Sequence, residues 1–165
     1  MKSFRGYSLV EMLVVITIFV ILAVAATSYI RSGGYSQESQ TSLVENLIKT
    51  ARITALQNNE TVTLCSSDDR ATCLNNTLWR GDFIVALSSD NTLLGAVESP
   101  NSGNYYASLD NSGATSIQIE GRGRANNNTA TLTLCEGAEA YSEMEINSRG
   151  NVTIGSTPNS GVCTG

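Results

Sequence analysis

Four cysteines, a carboxylate inside a long apolar run, two adjacent aspartates and a Gly-Arg-Gly-Arg stretch are the groups of this chain whose types and spacing could do chemistry. Cys65, Cys73, Cys135 and Cys163 allow alternative pairings. Their spacing favours Cys65–Cys73, which would staple the intervening loop to its strand, and Cys135–Cys163, which would tie down a Gly- and Ser-rich tail. A zinc site of four thiolates is the weaker alternative, because no close Cys-x-x-Cys pair exists. Buried free thiols are the plain one. Arg122 and Arg124 flank Gly123, and two arginines on one turn can both reach phosphates. With Glu120 beside them, solvated or carboxylate-paired arginines are the competing reading. Asp68-Asp69 could attract a cation weakly but lacks the spaced ligands of a calcium loop. The chain has no histidine, which removes Ser-His-Asp and Cys-His catalysis and every histidine metal site. No catalytic residue, metal site or cofactor is expected, and the chain reads as a non-enzyme.

Glu11 is the one charge between Tyr7 and Ile30. At ~1.5 Å per residue this stretch extends roughly 36 Å as a helix, which predicts a span across a bilayer core. Lys2 and Arg5 precede it, and the positive-inside rule puts that end in the cytoplasm and the remainder outside, where disulfides persist. A secretory signal peptide is the alternative. The run is longer than an ordinary signal core, and the small residues Ala23, Ala25 and Ala26 are followed at once by more apolar ones. A carboxylate within such a helix is costly unless paired, so Glu11 is a candidate functional group. The competing reading is a side chain that snorkels to water.

These groups need a scaffold. Gly33-Gly34 can bend or unwind a helix. Residues 36–58 then read as a second helix, with Leu43, Val44, Leu47, Ile48, Ala51 and Ala55 on one face, ended by Asn58-Asn59. Strands are expected over 61–65, 82–87, 92–98, 105–109, 115–120, 130–135, 142–147 and 151–155. Several alternate with period two, as antiparallel strands with one buried face do. Turn clusters at 88–91, 100–104, 110–113, 125–128 and 149–150 separate them. The expected fold is α+β: a long N-terminal α-helix, membrane-spanning in its first half, packed on antiparallel β-sheet. The Asn-x-Thr sequences follow from the abundance of both residues.

Gly6-Tyr7-Ser8-Leu9-Val10-Glu11 resembles the signal of type IV prepilins and pseudopilins. In that family a short basic leader ends in Gly, followed by an aromatic residue, a small polar one, two aliphatics and Glu. The resemblance implies cleavage between Gly6 and Tyr7 by a prepilin peptidase and N-methylation of Tyr7. It also implies an assembly role for Glu11, whose carboxylate would meet the amine of a neighbouring subunit. Tyr7 departs from the usual Phe, and the helix-kinking proline of many major pilins is missing. Val62-Thr63-Leu64-Cys65, then Cys73 and Leu78-Trp79-Arg80-Gly81-Asp82-Phe83, resembles the group of FimT and FimU minor pilins and H-type pseudopilins. Ile117–Gly123 and Thr131–Cys135 continue the likeness, which implies a pilin-like fold with no enzymatic centre.

The implied organisation is a leader at 1–6, an assembly helix at 7–30 and a globular head at 31–165. The implied function is a minor pilin that primes or caps pilus assembly, with a type II secretion pseudopilin as the alternative. Implied partners are other minor and major pilins or pseudopilins, the prepilin peptidase and the inner membrane. The implied location is the inner membrane by a single pass, head periplasmic, and later the pilus or pseudopilus. DNA is a disfavoured partner. FimT-type pilins of DNA uptake carry Gly-Arg-x-Arg near the C terminus, and Gly121-Arg122-Gly123-Arg124 matches those letters. The family position, however, corresponds better to Gly150-Asn151-Val152-Thr153, where only Arg149 is near. Lys plus Arg is 10 against 15 for Asp plus Glu, a net charge of -5 that disfavours general polyanion binding.

Overall fold

The computed structural model describes residues 9–32, 37–99, 104–126, 129–155, 158 and 160–163. The chain divides into two compact units, Met1–Ser36 and Gln37–Gly165.

The first unit holds α1, Leu9–Ser32. Among the described residues no helix is long and apolar enough to cross a membrane. This corrects the expected membrane-spanning helix, and with it the single-pass inner-membrane location with an external head. The side chains described on α1 run from Leu9 to Val20. The Gly33-Gly34 bend lies outside the described residues.

In the second unit α2, Gln37–Asn58, packs against strands of both sheets. Its buried stripe is Gln40, Val44, Leu47, Ile48, Ala51 and Ala55. Leu43, expected inside, is 47% exposed. Helical spacing centres the stripe on Val44, Ile48, Ala51 and Ala55 and leaves Leu43 at its margin. Ala51 and Ala55 are fully buried, small enough for the sheets to approach the helix closely. Asn59 takes φ 51, and the Glu60 N–H donates to the Ala55 carbonyl at 3.2 Å. This is the Schellman geometry that Asn accepts better than most residues.

All strand pairs are antiparallel. One sheet has the order β4-β3-β1-β6, from β1 (Val62–Ser67), β3 (Phe83–Leu87), β4 (Leu93–Glu98) and β6 (Ile117–Ile119). The other has the order β2-β5-β7-β8-β9, from β2 (Leu78–Trp79), β5 (Tyr105–Asp110), β7 (Thr129–Glu136), β8 (Glu139–Asn147) and β9 (Val152–Ile154). Each expected strand overlaps an observed one. The two-residue β2 and the 3-10 helix Ser160–Val162 carry no periodic signal. Residues 100–103 of the expected turn at 100–104 and residues 127–128 of that at 125–128 lie outside the described residues.

The main core gathers the α2 stripe with Val62, Leu64, Ile117 and Ile119 from one sheet and Leu132, Met144 and Ile146 from the other. Trp79 closes it, 1% exposed, and its indole N–H donates to the Thr115 carbonyl at 3.0 Å. That bond satisfies the only polar atom the ring buries. Each sheet also buries a small patch on its far face. Cys65, Val85 and Leu87 form one, with Phe83 against them. Tyr106, Cys135 and Cys163 form the other, with Leu78 and Val162.

Candidate assembly helix and basic notch

The apolar side chains of α1 from Leu9 to Val20 are exposed, from 47% at Val15 to 82% at Leu9. They point in all directions around the axis, so the described part of α1 has no wholly polar face. A continuous surface of this kind marks a site of association. Glu11 stands in the first turn of α1 and is exposed. Thr17 does not interrupt the apolar surface, because its hydroxyl donates to the Val14 carbonyl at 2.8 Å within the helix. Gly6 and Tyr7 lie outside the described residues.

Cys65 is bonded to Cys73 and Cys135 to Cys163, with Cα atoms 5.6 and 5.7 Å apart. Each bond closes one of the two far-face patches. The first pins the loop after β1. There Asp69 accepts from the Ser67 hydroxyl, from the Ala71 and Thr72 N–H groups and from the Thr72 hydroxyl. These donors, the two backbone ones foremost, hold its carboxyl well below the usual carboxylate range. Asp69 is therefore a turn organiser, and Asp68 accepts the Asp82 N–H at 3.3 Å. Arg70 lies 4.0 Å over the Phe83 ring and covers the same patch. Among the described residues no cluster of metal ligands forms.

Arg122 and Arg124 sit on the turn that follows β6, both exposed. The turn is closed by the Gly123 N–H on the Glu120 carbonyl at 2.7 Å and the Glu120 N–H on the Arg124 carbonyl at 2.8 Å. Beside it stands the turn 147–150, which carries exposed Arg149. The two turns touch through glycines. Gly123 and Gly150 have φ of 71 and 70, and a Cβ on Gly150 would come 2.4 Å from the Gly123 carbonyl oxygen. Arg52 of α2 donates its Nε to that same oxygen at 3.2 Å. The fold thus brings the turn of Arg122 and Arg124 against the turn that carries Arg149, which lies far away in sequence. Both turns are legible as turns, but their contact is tertiary and has no sequence signal. Glu120 lines the same notch.

Gly150→Ala should destabilise the head by at least ~1–2 kcal/mol, since a side chain at positive φ is strained and the carbonyl leaves no room. Chemical denaturation checks this, and a variant as stable as wild type would contradict the tight apposition of the turns.

The head is thus a helix set on two antiparallel sheets, with a cysteine on the first strand and a tryptophan strand before β3. A family model described as type II transport protein GspH matches residues 40–156, and a model of the prokaryotic N-terminal methylation motif matches residues 1–27. The chain belongs to the GspH family. Among solved structures, this GspH-family chain resembles the type IV minor pilin FimU of Pseudomonas aeruginosa strain PAO1 in two crystal forms. The P65 form has a TM-score of 0.54 at 13% identity, covering 73% of this chain and 92% of that one. The P21 form has 0.53 at 13%, covering 72% and 87%. At this identity the likeness shows the fold alone. A comparison with curated proteins gave no match. Family and fold together give this GspH-family chain a structural role of the pilin and pseudopilin kind.

Proposed function

We propose that the chain is a non-major pilin that primes or caps a fibre, using α1 as its assembly element. The observation that carries this reading is the exposure of apolar side chains all around α1 from Leu9 to Val20. Such a helix is stabilised by burial among the equivalent helices of other pilins, which offer an apolar surface of the same kind. In that bundle Glu11 would receive the amine of a neighbouring subunit, and the mutual neutralisation offsets the desolvation of both. Incorrect register leaves a charge unpaired, so the pair selects for register.

Maturation follows from the same reading. A prepilin peptidase would cut between Gly6 and Tyr7, and the new amine would be methylated, in line with the matched methylation motif. Mass spectrometry of the protein isolated from cells with an active peptidase should show an N terminus at Tyr7 carrying one methyl group. An intact Met1 would contradict it.

The second reading is an H-type pseudopilin of type II secretion, favoured by the family match over residues 40–156. Both readings use the same assembly chemistry. Neighbouring genes discriminate between them: other minor pilin genes support the first, secretion-channel genes the second.

A further inference from the structure

We propose that β9 and the adjoining side of α2 form a docking edge for an extended segment of a different protein. That segment alternates aliphatic residues with a carboxylate and adds as a further strand to the five-stranded sheet. The inference stands on the head alone and is independent of how α1 is used.

β9, Val152–Ile154, is the terminal strand of its sheet. The Asn147 N–H donates to the Asn151 carbonyl at 3.0 Å, and the Gly155 N–H donates to the Glu143 carbonyl at 2.8 Å. Successive residues of an antiparallel ladder bond to opposite sides, so Asn151, Thr153 and Gly155 face β8. Val152 and Ile154 therefore turn their N–H and carbonyl groups to the open edge. Sheet edges are commonly blunted by charge, proline or a bulge. β9 is Val, Thr and Ile, and its register with β8 runs without a shift, so it carries none of these.

Val152 and Ile154 stand opposite Ile146 and Met144 of the core, so their side chains take the α2 side of the sheet. There a groove of about 240 Å³ is lined by Lys49, Arg52, Ile53 and Leu56 of α2 and by Asn151 and Val152. Ile53 and Leu56 are 54% and 47% exposed, and Ile154 on the same strand as Val152 is 49% exposed. Apolar side chains gathered at an unpaired edge suit the alternate side chains of an added strand.

The charge of the groove selects the partner. Among the described residues no carboxylate lines it. Lys49 meets Glu45 at 2.6 Å, and its ammonium has further donors. Arg52 spends its Nε on the Gly123 carbonyl and has no ion pair among the described residues, so its terminal nitrogens are left for a carboxylate. β9 itself carries no carboxylate, so the same edge of a second copy would bring no counter-charge. A free anionic amphiphile would match the cations and the apolar lining but leave the edge's main-chain groups unused.

The test uses the full chain in uncharged detergent and a dye-labelled, end-capped peptide with valine, glutamate and valine at alternate positions, separated by threonine. Fluorescence anisotropy should show salt-sensitive binding. Methylating the backbone nitrogens of one alternate set of residues should weaken it roughly tenfold, and methylating the other set should not, because only one set faces the edge. Ile154→Pro removes an outward donor and no bond to β8, and should also weaken binding roughly tenfold. Lys49→Glu should weaken the glutamate peptide and strengthen one with lysine in its place, a change in preference of roughly tenfold. Circular dichroism and intact disulfides establish that the variants fold. Absence of binding by wild type would overturn the docking edge. Equal binding of both methylated peptides would overturn strand addition and leave an amphiphile site. Equal binding of the glutamate and lysine peptides would overturn the acidic partner. Peptide affinity that falls as the protein is concentrated would assign the edge to a second copy instead.

Discussion

Glu11→Ala should leave the head folded and remove the subunit from the fibre. The main core from Val44 to Ile146 is built from the second unit and draws nothing from Glu11. What changes is the bundle of α1 helices. There the amine of a neighbouring subunit would face no carboxylate in an apolar environment. Removing one partner of a buried pair typically costs about 3–5 kcal/mol. A cost of that size lowers incorporation more than a hundredfold at equilibrium, since ~1.4 kcal/mol is a factor of ten. Glu11→Asp keeps the charge with a shorter reach and should fall between the two. The measurement is recovery of each variant in sheared fibres, with capture of partner pilins alongside. Wild-type recovery of Glu11→Ala would contradict the pairing, unless microscopy places the subunit first in the stack, where its carboxylate has no neighbour to meet.

The second large effect is on stability. Replacing Cys135 and Cys163 together by serine should cost about 3–4 kcal/mol on the chain-entropy account, against ~2–3 kcal/mol for Cys65 and Cys73. The order follows from loop size, a sequence separation of 28 against 8. Packing adds to it. Cys135 and Cys163 are 0% and 1% exposed, and the bond holds Val162 against the patch around Tyr106. Without the bond the tail can leave, and that patch meets water. For a head of this size the larger loss should lower the melting temperature by roughly 10–15 °C. Thermal unfolding of the two double variants, without reductant, checks both magnitude and order. An unchanged melting temperature for Cys135→Ser/Cys163→Ser would contradict the account.

Sequence periodicity carried the second helix and the strand alternation because one face of each is buried. It could not separate two sheets. β3 is buried on both faces, so its residues read as a continuous apolar run without a side. The disulfide pairing was legible from spacing, but not that each bond seals the far face of a different sheet. Asp69 read as half of a weak cation-attracting pair, whereas its role depends on donors that only the closed loop supplies. The apolar run around Glu11 read as a membrane span from its hydropathy, which the described part of α1 does not bear out. The notch was legible only as two separate turns. Contact between Gly123 and Gly150 joins them, and such contacts leave no periodic trace.

The central claim is that α1 carries this subunit into a fibre. It is tested most directly by comparing the full chain with a chain lacking residues 9–32, each expressed in the native cells and assayed in the sheared-fibre fraction. Non-reducing peptide mapping of both disulfides establishes that the shortened head is folded. The account predicts the full chain in the fibre fraction and the shortened one absent from it. Equal recovery of both, or failure of the full chain to enter that fraction, would contradict it.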